Sequence, residues 1–253
     1  MLRSMTIRRD TRVATLTLLA LLFVLRASAA AAVSCGTIRV RDTGLTVCRV
    51  ELRQERLHIY YADPAGRRYE NFESLRVVLA HHGEKLLFAM NAGMFDPDFR
   101  PVGLLVIDGR EIAPINRAQG TGNFYLQPNG VLLIDGRTAR VLATDEHRGF
   151  TPAFATQSGP MLVHHGQISD SAAFRALGSR RIRNGVCAPA PETVVFVISD
   201  TEVTLREFAL YFQRGLECSE ALYLDGSISS LYAPQLRCTD ARAPLGPMVG
   251  VSE

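Results

Sequence analysis

Three segments in the middle of the chain share one pattern, in which an apolar stretch meets a two-residue turn ending in glycine and a second stretch leads away. They span residues 103–112, 130–142 and 160–168, and they turn at Asp108-Gly109, Asp135-Gly136 and His165-Gly166. Turns of the Asp-Gly type supply the positive φ angles that tight hairpins require. The middle third of the chain is therefore predicted to be mainly antiparallel sheet.

Two amphipathic segments predict helices on either side of this region. In residues 71–82 the apolar side chains share one face, and Asn71 can cap the start. In residues 204–216 they again share one face, and Thr204 with Glu207 has the spacing of a capping box. Further strands are predicted at residues 38–61, 86–90, 193–199 and 221–224. The expected fold class is α+β, a single domain of mainly antiparallel or mixed β-sheet with two principal helices.

The start of the chain has the three-part layout of a secretory signal peptide. An arginine-rich stretch precedes an apolar run at residues 13–25, which is too short to span a bilayer, and small residues follow at 27–32. We therefore predict a signal peptide over residues 1–32, a domain over residues 33–253, and a periplasmic or secreted location. Two alternatives stay open: the signal is an uncleaved membrane anchor, or a lipid is attached at Cys35.

All five cysteines lie after the predicted signal peptide, so export would permit disulfides. Cys35 and Cys48 are the best pair, because an Asp-Thr-Gly turn between them can fold the segment into a hairpin. Of the others, Cys187, Cys218 and Cys238, one stays unpaired if the domain is monomeric. No Cys-x-x-Cys pair or Cys/His quartet with zinc spacing occurs, which favours structural disulfides over a metal site.

The formal net charge of +3 arises in the predicted signal peptide, which holds five of the 28 basic residues and one of the 25 acidic ones. The rest of the chain, with 23 basic and 24 acidic residues, is close to neutral. It therefore has no excess of basic residues that would indicate nucleic-acid binding. The 47% hydrophobic composition excludes a disordered chain. We expect a small-molecule or glycan substrate, no nucleic-acid partner and no stable membrane insertion after signal cleavage.

Polar residues cluster where predicted strands end, and such ends commonly line clefts on a rigid scaffold. The clusters lie at residues 91–96, 122–124 with 129–130, 156–160, 179–186 and 224–230. Each alone is also consistent with an ordinary turn, because Asn-Gly and Asp-Gly pairs favour turns.

Two of these clusters carry groups suited to chemistry. Arg180, Arg181 and Arg183 stand beside Asn184, and guanidinium groups bind phosphate or carboxylate oxygens bidentately, although they could also form a solvated edge. Asp225, between an apolar strand and a glycine, is the leading carboxylate for acid, base or nucleophilic work, with turn capping as the alternative.

Other catalytic templates are missing from the sequence. Gly-x-Ser-x-Gly does not occur around Ser158 or Ser227, and no glycine-rich phosphate fingerprint is present. The pairs His81-His82 and His164-His165 lack metal-ligand spacing. We therefore expect neither a cofactor nor a metal.

Six short motifs follow one another along the chain. They are Asn91-Ala92-Gly93-Met94-Phe95, Pro101-Val102-Gly103-Leu104, Asn129-Gly130-Val131, Gln157-Ser158-Gly159-Pro160, Arg183-Asn184-Gly185-Val186 and Leu224-Asp225-Gly226-Ser227. In this ordered set the sequence resembles the phosphodiester glycosidase family over most of residues 35–251. The resemblance implies an active site lined by Asn91 with Gly93, Arg183 with Asn184, and Asp225 with Gly226 and Ser229. Ser227 and Ile228 stand where the family has glycines, and Cys187 where glycine is frequent.

The resemblance implies hydrolysis of the anomeric C–O bond of a sugar 1-phosphodiester. A phosphate monoester is a good leaving group, so this cleavage needs less help from a general acid than an ordinary glycoside does. In this hypothesis Arg183, with Arg180 or Arg181 nearby, neutralises the phosphate, and Asp225 activates water or attacks the anomeric carbon. Sugar hydroxyls are held by Asn91, Asn123 and Asn184. The alternatives are a non-catalytic carbohydrate or envelope-glycan binding domain on the same scaffold, and a structural exported protein.

Overall fold

Antiparallel β-sheet is the main regular structure of the described residues. The computed structural model describes residues 33–40, 42–169, 174, 179–240 and 243–253. The predicted signal peptide at residues 1–32 lies outside the described residues.

The strands and helices of the described residues are named here in chain order. The strands are β1 (Val33–Val40), β2 (Thr43–Glu51), β3 (Leu57–Tyr60), β4 (Leu86–Asn91), β5 (Leu105–Ile107), β6 (Arg110–Ala113), β7 (Gly130–Asp135), β8 (Thr138–Ala143), β9 (Phe154–Ser158), β10 (Met161–Val163), β11 (Asn184–Ala190), β12 (Thr193–Ser199), β13 (Ala221–Tyr223), β14 (Leu231–Ala233), β15 (Cys238–Thr239) and β16 (Met248–Ser252). The α-helices are α1 (Phe72–His81) and α2 (Leu205–Leu210). Short 3-10 helices occur at Asn123–Tyr125, Thr144–Glu146 and Pro234–Leu236, and a π-helical turn at Tyr211–Gly215.

The strands form three sheets, and the pairings between the named strands are antiparallel. The first sheet has the order β1-β2-β12-β11-β13-β10, the second β15-β14-β4-β16-β3, and the third β6-β5-β9-β7-β8. The chain passes from the first sheet to the second between β13 and β14, through residues 224–230. This crossing segment contains Asp225.

All three sheets contribute to one buried apolar cluster. It includes Phe88 and Met90 of β4, Leu132 of β7 and Phe196 of β12. The opposite face of the first sheet packs against α2, and α1 packs against the second sheet in a smaller cluster. Two of the sheets are therefore covered on both faces, which holds their strand ends in fixed relative positions.

Both predicted helices are present. Asn71 Oδ1 accepts the backbone N–H of Ser74 at 2.8 Å, and α1 buries the apolar face that the sequence pattern predicts. Thr204 and Glu207 form the predicted capping box at the start of α2. This α-helix is shorter than the pattern indicates, because the segment from Tyr211 continues as a π-helical turn.

Two of the three predicted hairpins are confirmed as strand pairs, and the third segment forms the predicted turn with a single bridge between His164 and Gln167. Asp108 and Gly109 both have positive φ, 51° and 73°, between β5 and β6, and His165 and Gly166 have φ of 50° and 74° after β10. β7 and β8 pair on either side of Asp135-Gly136. The fold class is thus mainly antiparallel sheet with two α-helices among the described residues, as predicted.

The predicted Cys35–Cys48 disulfide is present and joins directly opposed residues of β1 and β2. A second disulfide links Cys187 of β11 to Cys218 before β13. The first bond uses the sulfur atom that a lipid would need, which argues against the lipidated alternative at Cys35. None of the described helices has the length and apolar composition needed to cross a bilayer.

Candidate functional site

Asn91 ends β4 and is enclosed, with 0% of its surface exposed. Its Nδ2 donates to the backbone carbonyl of Asp225 at 2.7 Å. Its Oδ1 accepts from Nδ2 of Asn184 at 2.9 Å and from the backbone N–H of Ser230 at 2.8 Å. The side chain of Asn91 therefore ties together the end of β4, the start of β11 and the crossing segment.

Asn184 and Ser229 extend this network. Asn184 Nδ2 also lies 3.1 Å from the carbonyl of Asn91, and Asn184 Oδ1 accepts from the hydroxyl of Ser229 at 3.0 Å. The backbone carbonyl of Asn184 accepts the N–H of Leu224 at 3.1 Å. Asn91, Asn184 and Ser229 are all buried, and their mutual hydrogen bonds fix the backbone on both sides of Asp225.

Asp225 is held by its backbone at the centre of this network, with its N–H donating to the carbonyl of Ala92 at 3.1 Å. Its Oδ1 accepts the backbone N–H of Ser227 at 3.1 Å, and 7% of the residue is exposed. Burial raises the pKa of the Asp225 carboxyl, and hydrogen bonds from Ser227 offset part of that rise. A nearly enclosed carboxylate with a raised pKa is a frequent feature of catalytic sites.

Arg183 lies behind the same turn, with 2% of its surface exposed. Its guanidinium donates to the hydroxyl of Tyr223 at 2.7 Å and to the carbonyls of Val203 and Ser179 at 2.8 and 2.6 Å. No carboxylate of the described residues lies within ion-pair distance of Arg183. A buried guanidinium without an opposite charge is costly, and such groups often serve an anionic ligand.

Tyr223 connects Arg183 to the Asp225-Gly226 turn. A Cβ atom on Gly226 would lie 1.6 Å from the Tyr223 hydroxyl oxygen, so only glycine fits at this position. The Arg183 guanidinium also lies over the Tyr223 ring, 5.3 Å from its centroid. The sequence pattern does not indicate a site role for Tyr223, because a tyrosine within an apolar strand has the pattern of an ordinary core residue.

Gly93 brings the third sheet to the site. Its N–H donates to Oγ1 of Thr156 at 3.1 Å, and a Cβ atom here would lie 2.4 Å from both that oxygen and the carbonyl of Gln157. Nearby on β9, Ser158 Oγ is buried and has no hydrogen-bond partner among the described residues. Thr156 and Ser158 belong to a polar cluster that the sequence indicates, but the sequence pattern predicts no individual site role for either residue.

Three predicted site residues lie apart from this network. Arg180 is exposed and forms an ion pair with Glu207 at 3.0 Å, and Arg181 is exposed and donates to the carbonyl of Arg180 at 3.0 Å. Asn123 is exposed at the start of a 3-10 helix. No hydrogen bond of the described residues joins these three to Asp225, so their binding roles stay predictions.

The two exposed arginines differ from Arg183 in their surroundings as well as in their exposure. Arg180 lines a cavity of about 550 Å³ together with Val203, Glu207, Phe208 and Arg214. None of the four residues at the centre of the network lines that cavity: Asn91, Arg183, Asn184 and Asp225. The structure therefore separates the arginine trio into one inward-facing and two outward-facing side chains.

Comparison with known proteins shows that the chain is similar to a family of enzymes over the part that contains this network. The sequence profile described as phosphodiester glycosidase matches residues 84–251, a range that contains every residue from Asn91 to Ser229. An uncharacterised Escherichia coli (strain K12) protein, YigE, is 30% identical over 223 residues, which are 87% of this chain and 87% of that protein.

Solved structures show the same fold at low sequence identity. The catalytic domain of zebrafish N-acetylglucosamine-1-phosphodiester alpha-N-acetylglucosaminidase, auto-inhibited by its pro-peptide, matches with a TM-score of 0.58 and 15% identity, covering 87% of this chain and 81% of that one. A predicted exported protein from Burkholderia pseudomallei matches with a TM-score of 0.54 and 12% identity, covering 83% and 74%.

Proposed function

This chain belongs to the phosphodiester glycosidase family, and we propose that it is an exported hydrolase that cleaves the anomeric C–O bond of a sugar 1-phosphodiester. One observation carries the proposal: Asp225 is a nearly buried carboxylate on a turn held by Asn91 and Asn184, and the buried Arg183 donates to Tyr223, whose hydroxyl faces Gly226 of that turn. A carboxylate and a cation in one enclosed site match the two charges that develop when an anomeric carbon separates from a phosphate.

In this proposal Asp225 acts on the anomeric carbon. Its ionised carboxylate either attacks that carbon directly, forming a glycosyl ester that water then hydrolyses to free sugar and the carboxylate, or takes the proton of a water whose oxygen bonds to that carbon. The bond between the anomeric carbon and its oxygen breaks, and the oxygen leaves with the phosphate as a monoester. Because that leaving group needs little protonation, one carboxylate is sufficient where ordinary glycosidases use two.

Arg183 supports the departing phosphate through its charge. Its guanidinium is held by Tyr223 and two backbone carbonyls, so its position is fixed before the substrate binds. Inside the protein the positive charge is weakly screened and favours an anion near the Asp225-Gly226 turn. We therefore assign Arg183 an electrostatic role. Its hydrogen bond to Tyr223, whose hydroxyl lies against Gly226, fixes the guanidinium relative to the turn.

Asn91 and Asn184 position Asp225 in this mechanism. Their side-chain amides are enclosed and make hydrogen bonds within the protein. Sugar hydroxyls would then be held by groups nearer the surface, of which the exposed Asn123 is the predicted one. The two disulfides fit an oxidising compartment and support the proposed export.

The test is release of free sugar from a panel of sugar 1-phosphodiesters, including an N-acetylglucosamine one, by the purified disulfide-bonded protein. Asp225→Asn and Arg183→Lys are compared with Asp145→Asn, which changes an exposed aspartate in the same way. We expect turnover by the unchanged protein and by Asp145→Asn, loss of at least a hundredfold in Asp225→Asn, and a smaller loss in Arg183→Lys.

Two results would contradict the proposal. Full turnover by Asp225→Asn would exclude this carboxylate from the chemistry. An absence of turnover by the unchanged protein, together with glycan binding that Asp225→Asn weakens, would favour the non-catalytic binding domain.

A further inference from the structure

Two histidines and two glutamates meet outside the Asp225 network. His164 and His165 follow β10, Glu146 ends the 3-10 helix after β8, and Glu220 precedes β13. One potential ligand atom from each of Glu146, His164 and His165 lies within 4.8 Å of the other two. We propose that these three side chains bind one divalent transition-metal ion of the zinc type, with Glu220 orienting the two imidazoles.

The spacing of the ligand atoms fits such an ion. Nε2 of His165 lies 3.3 Å from Oε1 of Glu146. Ligands bound to zinc at 2.0–2.1 Å in a tetrahedral arrangement lie roughly 3.3 Å from one another. A metal ion could therefore bridge this imidazole and this carboxylate with little movement of either side chain.

Glu220 determines which ring nitrogen each histidine offers. Its Oε2 lies 3.0 Å from Nδ1 of His164, and its Oε1 lies 3.2 Å from Nδ1 of His165. Oε1 also accepts the backbone N–H of His165 at 2.8 Å. Since Nδ1 of each ring faces the same carboxylate, Nε2 of each ring is left for a metal, as in the carboxylate–histidine–metal arrangement of known sites.

The backbone holds these groups before any metal binds. Glu146 Oε2 accepts the N–H of Ala143 at 3.1 Å, which leaves Oε1 directed at His165. β10 and β13 pair in the first sheet, with Val163 opposite Ala221, so the sheet places His164 close to Glu220. The imidazole rings lie 3.9 Å apart between centroids with their planes 30° apart, so one ring must rotate for both Nε2 atoms to point at the same ion. The backbone therefore places the ligands near one another, and a side-chain rotation completes the site.

The donor set indicates the class of ion. Two imidazole nitrogens and one carboxylate oxygen suit zinc and similar transition metals better than magnesium or calcium, which prefer oxygen ligands. Three protein ligands leave a fourth position for water. Spacing along the sequence does not reveal this site, because adjacent histidines are not a zinc motif and Glu146 and Glu220 are distant in the chain.

The experiment is a calorimetric titration of the purified protein, without a histidine tag and stripped with a chelator, using zinc chloride. We expect one zinc ion per chain. His165→Asn and Glu146→Gln should each weaken zinc binding by at least tenfold, and Glu220→Gln by 10–100-fold. Asparagine is chosen at His165 because it tolerates the positive φ there.

The exposed pair His81-His82 supplies the matched control, since it retains adjacent histidines outside this cluster. The double variant His81→Gln/His82→Gln should bind zinc as the unchanged protein does. The proposal is overturned by an absence of binding at millimolar zinc, by equal binding in His165→Asn and Glu146→Gln, or by loss in the His81/His82 variant alone. Circular dichroism of each variant shows that any loss of binding occurs in folded protein.

Discussion

The buried carboxylate of Asp225, to which the proposed mechanism assigns the chemistry, is unfavourable for stability. Because burial raises its pKa in the folded protein above the ordinary 3.8, the folded state binds a proton more readily than the unfolded chain. Above the raised pKa the burial of this charge destabilises the fold, and this effect disappears as the pH falls toward 3.8.

Asp225→Asn should therefore be more stable than the unchanged protein at neutral pH. The gain in free energy of unfolding should shrink as the pH is lowered, because the unchanged protein then carries a neutral carboxyl too. Urea denaturation of both proteins over a pH series measures this difference. A gain that is the same at every pH, or a loss at neutral pH, would show that the carboxylate is not destabilising.

The side chain of Asn91 stabilises the fold, in contrast to the carboxylate of Asp225. Asn91→Ala removes one hydrogen-bond partner from each of three buried groups: the carbonyl of Asp225, Nδ2 of Asn184 and the N–H of Ser230. We expect a loss of about 3 kcal/mol in the free energy of unfolding, since three buried hydrogen bonds are lost at about 1 kcal/mol each.

Asn123→Ala is the matched control for this change, because it removes the same side chain at an exposed position. It should alter the free energy of unfolding by about 0.5 kcal/mol or less. Urea denaturation midpoints compare the two variants. Equal midpoints would show that the hydrogen bonds of Asn91 do not stabilise the site.

At the level of elements, the two disulfides close loops of different length. Cys35 and Cys48 are 13 residues apart, whereas Cys187 and Cys218 are 31 residues apart. On the chain-entropy estimate these bonds contribute about 3 and about 3.7 kcal/mol. Cys187 and Cys218 are also buried, so their replacement disturbs packing as well.

The double variant Cys187→Ala/Cys218→Ala should therefore be less stable than Cys35→Ala/Cys48→Ala. We expect a lower thermal midpoint for the former in calorimetry under identical conditions. The reverse order would indicate that the β1–β2 hairpin contributes more to the cooperative unit than its loop length implies.

The elements themselves follow closely from local sequence. Turn residues, capping residues and apolar spacing act within a few positions of one another, and for this reason the Asp108-Gly109 hairpin and the starts of α1 and α2 agree with the prediction. The end of α2 differs, because Tyr211 begins a π-helical turn that apolar spacing cannot distinguish from an α-helix. Local patterns thus predict where elements begin better than how they end.

The candidate site depends on contacts between residues that are distant in the chain, and local sequence patterns do not predict such contacts. Asn91 and Asn184 are 93 residues apart, and the contact between their side chains depends on the order of strands in two different sheets. Closeness in the sequence also fails to predict which arginines lie together in the fold. The sequence places Arg180, Arg181 and Arg183 together, but the fold buries the last and exposes the other two.

At the scale of the whole molecule, the candidate site lies where the three sheets approach one another. The crossing segment joins the first sheet to the second, Asn91 ends a strand of the second, and Gly93 contacts β9 of the third. A substitution at this junction can therefore affect the relative position of all three sheets. This arrangement explains why the buried polar groups are concentrated there and not spread through the apolar cluster.

The amino-terminal strand β1 begins directly after the predicted signal peptide. Val33 begins β1 and pairs with Val50, so cleavage after Ala32 or Ala29, each of which ends an Ala-x-Ala triplet, leaves the first sheet intact. When the full chain is produced in a bacterial host, the periplasmic fraction should contain a protein that starts after one of these alanines. Its intact mass should increase by four hydrogens on reduction, because two disulfides are formed. A full-length mass confined to the membrane fraction would instead establish the uncleaved anchor.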